Sequence, residues 1–281
     1  YSGSWEGYRG KAKEFSREID SQFKEAYLEM AKYVAGNVTS GRLHGLDIKK
    51  HKENNKDNLP VRRIITAGDD ICFVAEGRIG LECAAAFIRA LGRKVNSVDE
   101  ESYSACAGVA IVHQKYPFYK AYELAEKLCS NAKKFGAGLS DDGSGKDVSA
   151  IDWHIEFGEM KDSLEEIREV YRDASGNELI RRPYIISAAD KLLDKEPIRQ
   201  YVNFRNVITD IQKKENYARG HLKELRTVLR QGEKETEYFL KFHKIEGLFR
   251  EDLKGDFTLL FDAVELMDTF IALEGSGSGE N

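Results

Sequence analysis

Hydrophobic residues recur every three or four positions near the start of the chain. Between Lys11 and Ala35 they include Phe15, Ile19, Phe23 and Tyr27. This spacing places them on one side of an α-helix, with the charged residues on the other side. The pattern predicts a first amphipathic helix over Lys11–Ala35.

Two short runs rich in β-branched residues follow, Val61–Thr66 and Ile71–Ala75. The four residues between them are Ala67, Gly68, Asp69 and Asp70. Glycine and aspartate are typical turn residues, so the pattern predicts a β-hairpin with two carboxylates at its tip. The polar stretch Lys49–Asn58, which precedes the hairpin, has no periodicity and is expected to be an exposed loop.

The same kind of pattern continues to about residue 157 and then changes. The predicted elements are a helix at Ile79–Leu91, a strand at Ser104–His113, a helix from Pro117 to the Gly136–Gly138 break, and a strand at Ala150–Phe157. One strand before the first helix would complete a β-α-β-β-α-β order with an additional helix. We therefore expect an α+β protein with a ferredoxin-like sheet.

After Ser163 the pattern is mainly helical. We expect helices at Leu164–Tyr171, Ile198–Asp210, Tyr217–Gln231, Glu233–His243 and Leu259–Leu273, and a short strand within Glu178–Ile186. The expected organisation is one domain over residues 1–158, a mainly helical domain over residues 159–274, and a linker or tag remnant at residues 275–281.

Composition excludes several classes of protein. A hydrophobic fraction of 41% and a charged fraction of 32% are typical of a folded soluble protein. No apolar run approaches the roughly 20 residues that span a bilayer, and no secretory signal is recognisable, so we expect a cytoplasmic protein with no membrane partner. The four cysteines lack metal-site spacing, and the net charge of −5 gives no general attraction to nucleic acid.

The two adjacent carboxylates of the predicted hairpin are the strongest candidates for chemistry. Phosphoryl transfer requires divalent cations, and carboxylate oxygens hold such ions. Asp69 and Asp70 lie where a turn exposes them. The tetrapeptide alone favours an ordinary hairpin connection over a metal site, and both interpretations stay open at this point.

The segment Arg62–Val74 resembles the Gly-Gly-Asp-Asp hairpin in the second palm domain of the large polymerase/cyclase subunit of type III CRISPR effector complexes. Five more segments are similar to the same family: Ser104–Val112, Tyr116–Phe118, Tyr122–Glu126, Arg182–Tyr184 and Leu260–Asp268. The resemblance extends over about residues 10–272 and implies a palm of the nucleotidyl cyclase type with a helical C-terminal region.

The resemblance also implies a function. Members of this family join ATP into cyclic oligonucleotide signals with Mg²⁺ or Mn²⁺, in prokaryotic antiviral defence. By position, Asp69 and Asp70 are the catalytic metal ligands, Ala67 and Gly68 let phosphate approach the backbone, and Lys133 binds the triphosphate. The implied partners are a nucleoside triphosphate, CRISPR-type protein subunits and RNA, and the implied assemblies include a homo-oligomer.

Two departures from the family pattern support an alternative function. Ala67 replaces the first glycine of the hairpin, and the first palm strand, with its Asp-Gly-Asn-like motif, is not recognisable. Trp5–Gly10 lies in the approximate place of that motif, where Glu6 is the candidate metal ligand. An Asp in an apolar strand before Tyr1 would restore the usual site. The alternative is a palm that binds nucleotide or a partner protein without turnover, as a sensor or scaffold.

Overall fold

The structure is a computed structural model that describes residues 5–48, 58–156, 163–213, 217–248 and 257–275. The chain forms two compact units, one of residues 1–105 and 271–281 and the other of residues 106–270. We call them unit 1 and unit 2. None of the helices in the described ranges is long and apolar enough to cross a membrane.

Unit 1 contains the predicted first helix and the predicted hairpin. Its helices are α1 (Trp5–Gly36) and α2 (Gly80–Gly92). Its strands are β1 (Val38–Thr39), β2 (Arg42–Leu43), β3 (Leu46–Asp47), β4 (Val61–Ala67) and β5 (Asp70–Ala75). Strands β1 to β3 form a small antiparallel sheet, and β4 and β5 form the hairpin. Most of the polar loop predicted before the hairpin lies outside the described residues.

Aromatic side chains join α1, α2 and the hairpin in the core of unit 1. The ring of Phe87 on α2 lies 5.9 Å from that of Phe23 on α1 and 6.4 Å from that of Phe73 on β5. Ala84 and Ala85 are buried on the same helix. The small residues of α2 let the helix pack closely against its neighbours, and Phe87 fills the space between α1 and the hairpin.

The last described residues of the chain belong to unit 1 and form neither helix nor strand. The backbone N–H of Leu273 donates to Glu82 Oε2 at 3.0 Å, and its carbonyl accepts from the Tyr33 hydroxyl at 2.7 Å. The sequence pattern predicted a helix as far as Leu273, and that prediction is wrong beyond Leu266. Hydrogen bonds to distant residues replace helical ones there, and a local periodicity carries no information about them.

Unit 2 is built around a three-stranded mixed sheet. Its strands are β6 (Cys106–Ile111), β7 (Val148–Ile155) and β8 (Tyr184–Ala188). The order is β6-β7-β8, with β6 and β7 parallel and β7 and β8 antiparallel. Helix α3 (Phe118–Leu139) connects the two parallel strands, as a β-α-β crossover requires. Every residue of β7 is buried, so both faces of the central strand are covered.

Unit 2 contains six further α-helices in the described ranges. They are α4 (Leu164–Glu169), α5 (Asp190–Leu193), α6 (Tyr201–Gln212), α7 (Arg219–Val228), α8 (Glu233–His243) and α9 (Phe257–Leu266). The α+β fold class is confirmed. The predicted elements from α1 to β7 occur in the predicted order, but the short strands β1 to β3 were not predicted, and in the described residues the hairpin and the β6-β7-β8 strands form separate sheets rather than one. Gly158, where the domain boundary was predicted, lies outside the described residues, while the compact units divide after Ala105. The predicted domain boundary therefore stays a prediction.

A buried cluster of charges lies in the core of unit 2. The Arg182 side chain is fully buried, with Nη2 2.8 Å from Glu265 Oε2 and Nε 3.6 Å from Asp262 Oδ1. Its guanidinium lies between the rings of Trp153 and Tyr171, at 5.3 and 4.9 Å from their centroids. Burial raises the pKa of Asp262 to about 6, although the Arg182 charge acts to lower it. The cluster joins β7, the segment before β8 and α9.

Candidate functional site

The predicted carboxylates lie at the tip of a tight hairpin. Ala67 pairs with Asp70, which leaves Gly68 and Asp69 as the two turn residues. Gly68 has φ of 64°, a conformation that glycine adopts without steric cost. All four predicted hairpin residues, Ala67, Gly68, Asp69 and Asp70, are exposed. The turn thus presents two neighbouring carboxylates to a ligand arriving from solvent.

The base of the hairpin is fixed by packing. The Phe73 ring lies 6.1 Å from that of Tyr27 on α1, and the Arg63 guanidinium lies 5.4 Å from the same Tyr27 ring. A β-bulge places Ile64 as an extra residue between two paired positions of β4, which bends the strand. The tip is therefore carried by an anchored element, and its position depends on packing rather than on a free loop.

Neither carboxylate is occupied by another group among the described residues. In the described ranges, Asp69 and Asp70 form no ion pair and no side-chain hydrogen bond. The same ranges contain no cluster of three or more His, Cys, Asp or Glu side chains that would enclose a metal. Mg²⁺ commonly takes one or two carboxylates and completes its shell with substrate phosphates and water. The pair fits that donor set, whereas a metal cage made by protein alone is absent from the described residues.

The segment Trp5–Gly10, in the approximate place of the family's first palm strand, is helical. Helix α1 begins at Trp5, so Trp5–Gly10 continues the amphipathic helix instead of forming a strand. The side chain of Glu6 lies outside the described part of the structure. Its role as a further metal ligand stays a prediction.

Lys133 lies on α3 in unit 2 with an exposed side chain. Burial raises the pKa of the Cys106 thiol on β6, and the Lys133 charge acts in the opposite direction. Asp69 and Asp70 belong to unit 1. The predicted cooperation of these residues in one site stays a prediction.

A polar network that the sequence did not reveal fixes α3 two residues before Lys133. Asn131 Nδ2 donates to Asp152 Oδ2 at 2.8 Å, and Arg168 Nη2 donates to Asp152 Oδ1 at 2.6 Å. Asp152 is fully buried in β7. The sequence does contain one sign of this network, because Asp152 lies among Ile151, Trp153 and Ile155 in a predicted strand. A charge buried in a strand needs a partner, so such a position predicts a polar contact.

Comparison with protein-family models matches residues 6–138 to the family described as Cas10/Cmr2, second palm domain. The matched range includes α1, the hairpin, α2, β6 and most of α3, and amounts to slightly less than half of the chain. No curated protein matches the sequence significantly. The match agrees with the part of the resemblance to type III CRISPR subunits that lies between the hairpin and α3, whereas Arg182–Tyr184 and Leu260–Asp268 lie outside the matched range. Residues 6–138 of this chain are therefore similar to the Cas10/Cmr2 second palm domain family, a family of type III CRISPR antiviral defence.

Proposed function

We propose that this palm binds ATP with Mg²⁺ or Mn²⁺ at the Asp69–Asp70 hairpin and joins nucleotides into a cyclic or linear oligonucleotide in antiviral defence. The observation that carries the proposal is the pair of exposed carboxylates, which have no partner among the described residues and lie on an anchored hairpin inside the matched range. CRISPR-type subunits and RNA are the proposed partners.

The chain's own groups have distinct roles in this proposal. Asp69 and Asp70 supply anionic oxygen donors, and the Gly68 turn has no side chain that would keep a phosphate from the backbone. When bound, the metal would neutralise triphosphate charge and lower the pKa of the attacking hydroxyl. Lys133 is assigned to the triphosphate by the family resemblance, to which the structure adds an exposed ammonium.

A second function is supported by a specific observation. Among the described residues, the hairpin tip offers only two carboxylates. The segment Trp5–Gly10, in the approximate place of the motif with a further metal ligand, is part of helix α1. A palm with this donor set is suited to hold a metal nucleotide complex without turnover. The alternative is therefore a nucleotide-binding sensor or scaffold within a defence complex.

The two functions differ in whether products form. The full chain is incubated with each nucleoside triphosphate and Mg²⁺ or Mn²⁺, and pyrophosphate and oligonucleotide products are measured. Replacing both carboxylates, Asp69→Asn with Asp70→Asn, is expected to lower product formation at least about a hundredfold, because a catalytic metal supplies several kcal/mol. Asp47→Asn, at an exposed aspartate on β3 that pairs with Arg42, is the matched control and should leave the rate unchanged.

The outcomes separate the proposals. Undiminished product from the double variant would exclude these carboxylates as catalytic groups. Calorimetric binding of ATP by the wild-type chain without any product would favour the sensor or scaffold. Absence of both binding and product in the wild-type chain would contradict both functions.

A further inference from the structure

The outer side of α8 carries two large aromatic rings that the fold does not cover. Tyr238 is 71% exposed and Phe242 is 69% exposed. Their ring centroids are 6.1 Å apart and their planes differ by 19°, so the two rings lie nearly parallel. On the opposite side of the helix, Phe239 and Leu240 are buried and anchor it to unit 2. The exposed rings are therefore held in place by a packed helix.

Two lysines lie on the same stripe of the helix as the rings. Lys234, Tyr238, Lys241 and Phe242 are spaced by four, three and one residues, which places them on one side of α8. We call these four residues the α8 ridge. Lys241 Nζ lies 3.5 Å from Glu237 Oε2, and both side chains are more than half exposed. Lys234 has no ion pair within the described part of the chain.

The alternation of cation and ring distinguishes this ridge from an apolar docking face. Protein interfaces are depleted in lysine at their centres, because burial desolvates the ammonium. Single-stranded nucleic acid offers the complementary pattern, with base planes that stack on aromatic rings and phosphates that attract ammonium groups. The two parallel rings and Lys234, which has no ion pair in the described residues, therefore fit a nucleic acid strand better than a protein groove, while Lys241 would exchange Glu237 for a phosphate.

We propose that the α8 ridge binds single-stranded nucleic acid, with bases stacked on Tyr238 and Phe242 and phosphates contacted by Lys234 and Lys241. The net charge of the chain is −5, so attraction to the strand is local to the ridge and sensitive to salt. The ridge lies in unit 2 and shares no residue with the Asp69–Asp70 hairpin. The proposal is independent of the proposed nucleotidyl transfer.

Fluorescence anisotropy with the full chain and 5′-labelled 12-nucleotide oligo(U) and oligo(A) RNA tests the stacking. Each ring is expected to contribute about tenfold to affinity, so Tyr238→Ala with Phe242→Ala should weaken binding roughly a hundredfold. Tyr238→Phe, which keeps a ring, should retain binding. Tyr119→Ala, at a 61% exposed ring on α3 of the same unit, is the matched control and should leave affinity unchanged.

Salt dependence tests the phosphate contacts. Replacing Lys234 and Lys241 with Ala is expected to reduce the slope of log affinity against log salt by about 0.7 for each lysine. Asp69→Asn with Asp70→Asn should leave oligonucleotide affinity unchanged, which separates failure of this proposal from failure of the proposed function.

Three results would overturn the proposal. They are absence of binding at tens of micromolar protein in low salt, an equal loss of affinity in Tyr119→Ala, and equal affinity for a 12-base-pair duplex, whose bases cannot stack on the rings. Retention of oligonucleotide affinity by the double alanine variant of the rings would contradict it in the same way.

Discussion

Replacing Arg182 with Met is expected to lower the free energy of unfolding by about 3–5 kcal/mol, the range for breaking a buried ion pair on one side. The guanidinium is fully buried between Trp153 and Tyr171 and faces two buried acids, Asp262 and Glu265. Methionine retains much of the side-chain volume but removes the positive charge. The two acids are then left without their counter-charge in a site that excludes water. Urea unfolding followed by circular dichroism measures the effect.

An exposed ion pair of the same unit provides the control. Lys191 pairs with Asp141 at 3.1 Å, and the two side chains are 69% and 62% exposed. Lys191→Met is expected to change stability by less than about 1 kcal/mol, because solvent screens such pairs. Adding Asp262→Asn and Glu265→Gln to the Arg182 variant should recover part of the loss. An Arg182 effect no larger than that of Lys191 would show that the cluster does not hold the helical part of unit 2 against its sheet.

Replacing Gly108 with Ala is expected to destabilise unit 2 by about 3 kcal/mol or more, at the upper end of overpacking costs. A Cβ at Gly108 would lie 2.0 Å from the Ala125 carbonyl oxygen and 2.4 Å from the Cys129 backbone nitrogen. Both are backbone atoms of α3, so relief requires the whole helix to move away from β6. Thermal unfolding and the exchange of the β6 and β7 amides measure the loss.

Gly138 near the end of α3 is the matched control. A Cβ there meets no atom within 4 Å, so Gly138→Ala should be neutral or stabilising by up to about 1 kcal/mol. Equal stability of the two alanine variants would contradict the close contact between α3 and β6.

Local patterns were sufficient for the elements whose own residues determine them. The period of α1, the two β-branched runs around the Gly68 turn and the stripe of α8 each predicted an element that the structure contains. The bounds of β8, which is Tyr184–Ala188 where a strand within Glu178–Ile186 was predicted, and the end of α9 were predicted incorrectly. Both depend on partners elsewhere in the chain: β8 pairs with β7, and the segment after α9 bonds to Glu82 and Tyr33. Neighbouring residues do not encode such contacts.

The candidate site divides along the same line. Asp69 and Asp70 could be predicted as residues of a hairpin tip, because the sequence of a tight turn lies in adjacent positions. The network of Asp152 with Asn131 and Arg168 joins three elements far apart in sequence, and only the fold brings them together. Helix α8 has aromatic residues on both sides, so its periodicity alone does not show which side is buried. The structure shows that Phe239 is buried and that Tyr238 and Phe242 are exposed.

The position of the bound metal nucleotide tests the central claim most directly. Mn²⁺ with ATP broadens the amide NMR signals of nearby residues, and this readout does not depend on turnover. The account predicts selective broadening at residues 67–71, lost in Asp69→Asn with Asp70→Asn and retained in Asp47→Asn. Binding of Mn²⁺ and ATP that leaves the hairpin signals sharp, or broadening there that survives the double variant, would contradict it.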